Sequence, residues 1–413
     1  MPPSDLDRLH LWPSDPDLDR IARPLPDWPG GELLPAGPPG DAERVARMGL
    51  AAVWEPGDRR VTNLIAEHGA EFVWQSLRQG EPRTNLARRA QAVDVDRLLR
   101  QTELLKLRFI APGDGEWPVA LADLDRAQMG NLGGMPIGLW LAGPGHLADL
   151  GRRSVAVVGS RAATAYGEHV AADLAAGLAE TGWTITSGGA YGIDAAAHRA
   201  ALAVGGPTVA FMAGGLSNVY PPGNAQLLGR VKSEGLLATE HAPDRTPSRP
   251  RFLARNRLIA GLAQATVVVE GGVRSGAANT VRWALALDRP TFAVPGPVTS
   301  AMSWTPHRLI RDGEAVLVTS AEDVVAGLGP FDAAVEADYP EVEERLDRLR
   351  PDDRAVFEQL PLRGQVTAGD VAERTGLAVP GALASLGRLR EERLVEQTER
   401  GTWRILPDWP EAA

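Results

Sequence analysis

The chain has 413 residues, no cysteine, and a formal net charge of −10 from 43 Lys and Arg against 53 Asp and Glu. Its length allows two or three domains, each burying its own core, and the missing cysteines exclude a disulfide framework or thiolate metal site. No stretch approaches the roughly 20 apolar residues of a membrane span, and the net charge weighs against nucleic acid except at a local basic patch.

Residues 1–40 hold ten prolines without a sustained period, which predicts a loosely attached tail, with Trp12 and Trp28 as docking or packing residues. This acidic start is neither a secretory signal nor a transit peptide, so the cytoplasm is the expected location. From 41 to 105, the patterns ERVARMGLAAVW, VTNLIAEHGAEFVWQSL and VDVDRLLRQTELLKLRF predict a small helical, SAM-like domain.

Strands and helices then alternate from 106 to 330. Strands are predicted at 154–158, 183–186, 207–212, 236–239, 266–270, 291–294 and 315–318. Helices are predicted at 167–180, 192–204, 224–234, 256–263, 276–287 and 320–327. The strands at 154–158 and 266–270 are continuous apolar runs, as when both sheet faces are covered. This order predicts an α/β fold with a doubly wound parallel, Rossmann-like sheet. Residues 331–350 form an acidic linker, and 351–407 read as three helices and a hairpin turning at Arg400-Gly401, the winged variant of helix-turn-helix.

Chemistry gathers at the turns that follow the strands. VVGSRAATAYG departs from the dinucleotide fingerprint, because Gly159 is followed by Ser160 and Arg161. A hydroxyl and a guanidinium beside a helix N-terminus suit a phosphodiester; an ordinary turn with a solvent-facing Arg fits equally. SGGAYGIDAAAH supplies Ser187, Gly188, Gly189, Gly192 and Asp194, small residues that admit a close ligand. Asp194 suits a helix cap as well as a ligand, and His198 is expected to pack rather than catalyse. No Lys follows either turn, so a phosphate would be held rather than transferred.

DRTPSRPRFLARNRLIAGL is the one dense basic stretch, with Arg245, Arg249, Arg251, Arg255, Arg257 and, among them, Phe252. Cations interleaved with an aromatic suit single-stranded nucleic acid; a solvated Arg-rich loop is the plainer reading. A third glycine turn carries Glu270, Arg274, Ser275, Gly276 and Thr280. Several phosphate-sized cradles along one edge suit a polymer better than a mononucleotide.

Taken in order, these segments resemble the DNA-processing DprA/Smf family. The resemblance rests on Gly159-Ser160-Arg161, Ser187 to His198, Tyr220-Pro221 to Asn224, Arg255 to Gly261, Arg274-Ser275-Gly276 and Val294-Pro295-Gly296, and it covers about 110–325. It implies a homodimeric, cytoplasmic binder of single-stranded DNA that relieves the block by single-strand binding protein and loads the RecA recombinase. It also implies a part in natural transformation and recombination, with no catalysis, cofactor or metal. On this resemblance Arg161, Arg249, Arg255 and Arg257 hold phosphates and Phe252 packs on or splits bases. Gly159, Ser160, Ser187, Gly188, Gly189, Gly192, Asp194, Asn256, Arg274, Ser275, Gly276 and Thr280 complete the expected DNA-binding set. Two departures, Tyr191 where the family often has Arg and Leu253-Ala254 in place of a Pro-containing segment, predict weaker or less salt-sensitive binding. The C-terminal region, where Arg388, Arg390 and Arg393 mix with Glu391 and Glu392, reads as a protein-contact module rather than a duplex reader.

The rival reading is a nucleotide-binding or nucleotide-hydrolysing enzyme of the lonely-guy type on the same sheet. Such enzymes follow a Pro-Gly-Gly-x-Gly-Thr turn with a catalytic glutamate, and here no acid follows Ala277 until Asp288. Incubation with AMP-type nucleotides is therefore expected to release no free base by chromatography; release would favour the enzyme.

Overall fold

A computed structural model describes residues 38–79, 85–273, 275–329, 348–361, 364–398 and 400–406. The readings for the proline-rich tail, for acidic residues 331–347 and for Arg274 lie outside these residues. The chain divides into two compact units, Met1–Asp332 and Ala333–Ala413.

The first unit opens with five helices: α1 (Asp41–Val53), α2 (Arg59–His68), α3 (Ala70–Gln79), α4 (Asn85–Ala92) and α5 (Val95–Leu104). One expected helix is two, because Gly69 at φ +79 ends α2 before α3 begins. Asp58 and Asp94 accept backbone N–H groups at the starts of α2 and α5, offsetting orphan donors there. The third pattern extends past its helix: the chain leaves α5 at Leu104, and Arg108–Ile110 is strand β1.

After a small hairpin, β2 (Gln128–Met129) with β3 (Leu132–Gly133), comes β4 (Leu139–Ala142), buried throughout, and α6 (Leu147–Arg152). The expected alternation follows: β5 (Ser154–Val158), α7 (Ala165–Glu180), β6 (Thr184–Ser187), α8 (Ile193–Ala203), β7 (Thr208–Phe211), α9 (Ala225–Glu234) and β8 (Leu236–Thr239). It continues with α10 (Arg249–Leu262), β9 (Ala265–Val268), α11 (Ala277–Ala286), β10 (Thr291–Ala293), α12 (Trp304–Arg311), β11 (Val316–Leu317) and α13 (Ala321–Ala326). Helix α10 begins well before its expected start at 256. Pro250 occupies its first turn, where a missing N–H costs nothing, so a proline that reads as loop belongs to a helix.

The nine strands are ordered β1-β4-β8-β7-β6-β5-β9-β10-β11. The seven from β5 onward are parallel, as expected for a Rossmann-like sheet; β4 joins β8 antiparallel and β1 joins β4 antiparallel, so the sheet is mixed at one edge. Alternation along β5 explains its unbroken apolar run: Val155 and Val157 pack toward α7 and α8, Ala156 and Val158 toward the α10–α11 face. The helical segment joins the same body, with Met48 and Ala51 in one cluster with Trp140 and Leu237, and Arg44 paired to Asp114 at 2.7 Å. No helix among the described residues is long and apolar enough to cross a membrane.

The second unit has α14 (Pro351–Glu358), α15 (Ala368–Thr375), α16 (Val379–Glu391) and an antiparallel hairpin of β12 (Val395–Gln397) with β13 (Trp403–Ile405). Its core gathers Val356, Val371, Leu386, Leu389 and Trp403. A capping box between Thr367 and Asp370 starts α15, and Arg388 on α16 is paired with Asp353 of α14.

Candidate nucleic-acid interface

Strand β5 lies between β6 and β9, so the chain winds one way through β6, β7 and β8 and the other way through β9, β10 and β11. This reversal opens a crevice at the carboxyl ends of the strands, the usual ligand position in such sheets. The turns at 159–161 and 187–192 meet there with the segment that begins at Glu270.

The glycines of the first two turns bring chain against chain. A Cβ on Gly192, already at φ +71, would strike the Ser160 carbonyl, and one on Gly159 would strike Ile193. The backbone N–H of Ile193 donates to that Ser160 carbonyl at 3.2 Å, locking the two turns together. Gly188 leaves room for the Arg255 guanidinium, and Gly189 faces Leu228. Gly188 and Gly189 are buried, so their expected role of admitting a ligand is corrected to one of internal packing.

Several polar candidates are also interior. The Ser187 hydroxyl is fully buried and donates to the Val157 carbonyl at 2.7 Å. Asp194 accepts the N–H groups of Gly188 and Ala190 at 3.1 and 3.3 Å, so it braces the loop behind it rather than a ligand. Burial pushes its carboxyl above the usual range, against the opposing pull of Arg255 and those N–H groups. Asn256 donates to Asn279 at 3.2 Å, Thr280 is buried, and the Ser275 hydroxyl accepts from Ala277 N at the start of α11. Ser160 does the same locally, accepting from Ala162 N at 3.1 Å.

The arginine segment divides sharply. Arg255 is buried and donates to the carbonyls of Gly188 and Phe211; burial lowers its pKa to about 10. Arg257 is fully buried and paired with Glu240, another buried group, whose carboxyl burial pushes up. Arg245 and Arg251 both reach Glu55 in the loop after α1, at 3.0 and 2.5 Å. The expectation that Arg255 and Arg257 hold phosphates is therefore corrected: desolvated and committed to internal partners, they hold the fold. Only Arg249 of the five is exposed.

What remains at the surface is compact. Exposed Arg161 places its guanidinium over the Phe252 ring at 4.6 Å, and Tyr220 meets that ring at 5.8 Å with the planes tilted by 60°. Phe252 lies on the first turns of α10, three residues after Arg249. Tyr220 is absent from the expected set, although its Tyr-Pro-x-x-Asn segment is one of those that carry the resemblance. That segment is anchored where Asn224 donates to the Gly189 and Ala190 carbonyls, both at 3.0 Å. Glu270 and His198, the residues nearest to catalytic types, are occupied. The Glu270 carboxylate accepts from Thr164 N and Oγ1 at 2.9 and 2.6 Å, and buried His198 pairs with Thr208 at 2.8 Å.

Residues 108–329 match the family model for DNA recombination-mediator protein A. The chain is 46% identical over 364 residues to a putative DNA processing protein DprA of Mycobacterium tuberculosis, covering 86% of this chain and 93% of that one. It is 39% identical over 249 residues to the protein Smf of Escherichia coli, covering 59% and 65%. Among solved structures, the DprA of Streptococcus pneumoniae superposes with a TM-score of 0.57 at 29% identity, covering 70% of this chain and 98% of that one.

Two outcomes are expected from the buried groups. Arg257→Ala strands the Glu240 carboxylate and should lower stability by about 3–5 kcal/mol in urea unfolding, while Arg255→Ala and Arg257→Ala leave the salt slope of any nucleic-acid binding unchanged. Burial holds both His198 and His241 down to about 3 from 6.5, so the unfolded chain binds more protons between these values. Stability is then fully present above pH 6.5 and falls on acidification toward pH 3; His198→Gln should flatten that fall in urea midpoints measured across the range.

Proposed function

The chain belongs to the DNA recombination-mediator protein A family, which the DprA and Smf proteins represent, and from that membership we propose that it binds single-stranded DNA and loads a RecA-type recombinase on it. The observation that carries this reading is the group formed by exposed Arg161 and Tyr220 around half-buried Phe252 beside the reversal point of the sheet, with exposed Arg249 on the helix that carries Phe252. Cations track a phosphate backbone and aromatic faces accept unpaired bases, a combination a duplex does not need. Three further elements belong to the proposal: a homodimer, exchange with single-strand binding protein, and work in the cytoplasm during transformation and recombination.

The proposal is non-enzymatic. The hydrolase alternative needs a free glutamate beside the third turn, and Glu270 is taken up in capping the segment that enters α7. We assign the C-terminal unit to protein contact, since Arg388 is already paired with Asp353.

Gel-shift titrations over a salt series test the reading. The wild-type chain should prefer single-stranded to duplex DNA. Arg161→Ala and Arg249→Ala should each weaken binding and flatten the salt slope by about 0.7 for each phosphate left without its cation. The same variants should slow recombinase assembly on a strand coated with single-strand binding protein. Equal affinity for duplex, or unchanged slopes in both variants, would overturn the assignment.

A further inference from the structure

Helix α10 starts in a way that its own residues do not stabilise. Ser248 occupies the N-cap position, but its side chain accepts no N–H, and the first turn contains no acid. It carries two cations instead, Arg249 and Arg251, at the end of a helix whose dipole disfavours positive charge. Such a turn frays unless something else holds it. Yet it carries Arg249, and Phe252 follows directly.

The missing acid comes from a distant part of the chain. Glu55 lies in the loop after α1, with 15% of its side chain exposed. Its carboxylate takes the Arg251 guanidinium at two points, Oε2 accepting from Nε at 2.8 Å and Oε1 from Nη2 at 2.5 Å. Oε1 also accepts from Arg245 at 3.0 Å. Arg251 donates in addition to the Thr246 carbonyl, so one guanidinium ties together the approach to α10, its first turn and the helical segment. Burial pushes the Glu55 carboxyl up, but the hydrogen bond and charge of Arg251, with the charge of Arg245, outweigh it and hold the group below the usual range. Arg245 is anchored in turn. Its carbonyl accepts at 2.7 Å from Gly215 N, in the loop from β7 that leads to Tyr220. The Glu55 carboxylate thus stands behind both segments that meet at the Phe252 ring.

We propose that Glu55 is a positioning residue for the interface: it touches no nucleic acid itself, and it holds the first turn of α10 so that Arg249 and Phe252 are in place before a strand arrives. This rests on the single-strand reading above and gives the helical segment a part in it. When only a fraction of molecules has the turn formed, the apparent affinity falls by that fraction. The direction of the effect separates this role from plain electrostatics. Removing an acid beside a site for a polyanion, and so freeing two arginines, tightens binding; removing one that positions the site weakens it.

The test uses the full chain, by gel shift on a single-stranded oligonucleotide over a salt series, with urea unfolding alongside. Glu55→Gln keeps the shape without the charge, and Arg251→Lys keeps the charge without the two-point contact. Each should weaken binding by about fivefold, the scale of a lost helix cap, and flatten the salt slope as Arg249→Ala does. In a chain already carrying Arg249→Ala and Phe252→Ala, the turn has nothing left to present, and Glu55→Gln should cost about twofold at most. A lowered urea midpoint with unchanged affinity makes Glu55 a structural ion pair only and overturns the proposal. Equal losses in the two backgrounds do the same, as does tighter binding with a steeper slope, the mark of an acid that screens Arg245 and Arg251 from phosphate. All three results leave the single-strand reading standing; a wild-type chain that fails to bind the oligonucleotide removes both.

Discussion

The interface depends on a guanidinium that never reaches it. Arg255 lies buried at the reversal point of the sheet, where its desolvation is offset by carbonyls from the turn after β6 and the end of β7. Asp194 adds a nearby negative charge and holds the N–H groups of that same turn. Its neighbours on α10 extend the arrangement. Asn256 reaches Asn279 on α11, and Arg257 reaches Glu240 just past β8. Three consecutive residues of one helix thus tie together the ends of β6, β7 and β8 and the start of α11. Loops fastened in this way can hold side chains in place without regular structure of their own.

This hub explains which sequence expectations survive. The parallel strands are legible because covered strands are written as continuous apolar runs, and β5 and β9 are such runs. β1 is three residues long and too short to show a period, whereas β4, four buried residues like β9 and wholly apolar, carries the same signal and is missing from the predicted strands. The glycine turns stand where the sequence puts them, but their meaning is ambiguous there. A glycine that admits a phosphate and one that admits another chain segment look identical in sequence, and only the backbone shows that Gly188 makes room for Arg255.

The arginines mislead for a related reason. Counting cations along 245–257 treats each as solvated, whereas α10 packs into the core through its own Ala254, Leu258, Ile259 and Leu262, and the charges inside that packing need internal partners. Glu55, nearly 200 positions away from Arg251, and Glu240 supply them.

The charge balance of the whole chain then acquires a physical sense. An acidic protein with arginine as almost its only cation could concentrate those arginines on one face or place them within the fold. Around α10 it does mainly the second, because a planar guanidinium satisfies several carbonyls or a carboxylate at once in a dry site. Among Arg161, Arg245, Arg249, Arg251, Arg255 and Arg257 only Arg161 and Arg249 are exposed, so the positive surface beside α10 is far smaller than a count of its arginines suggests.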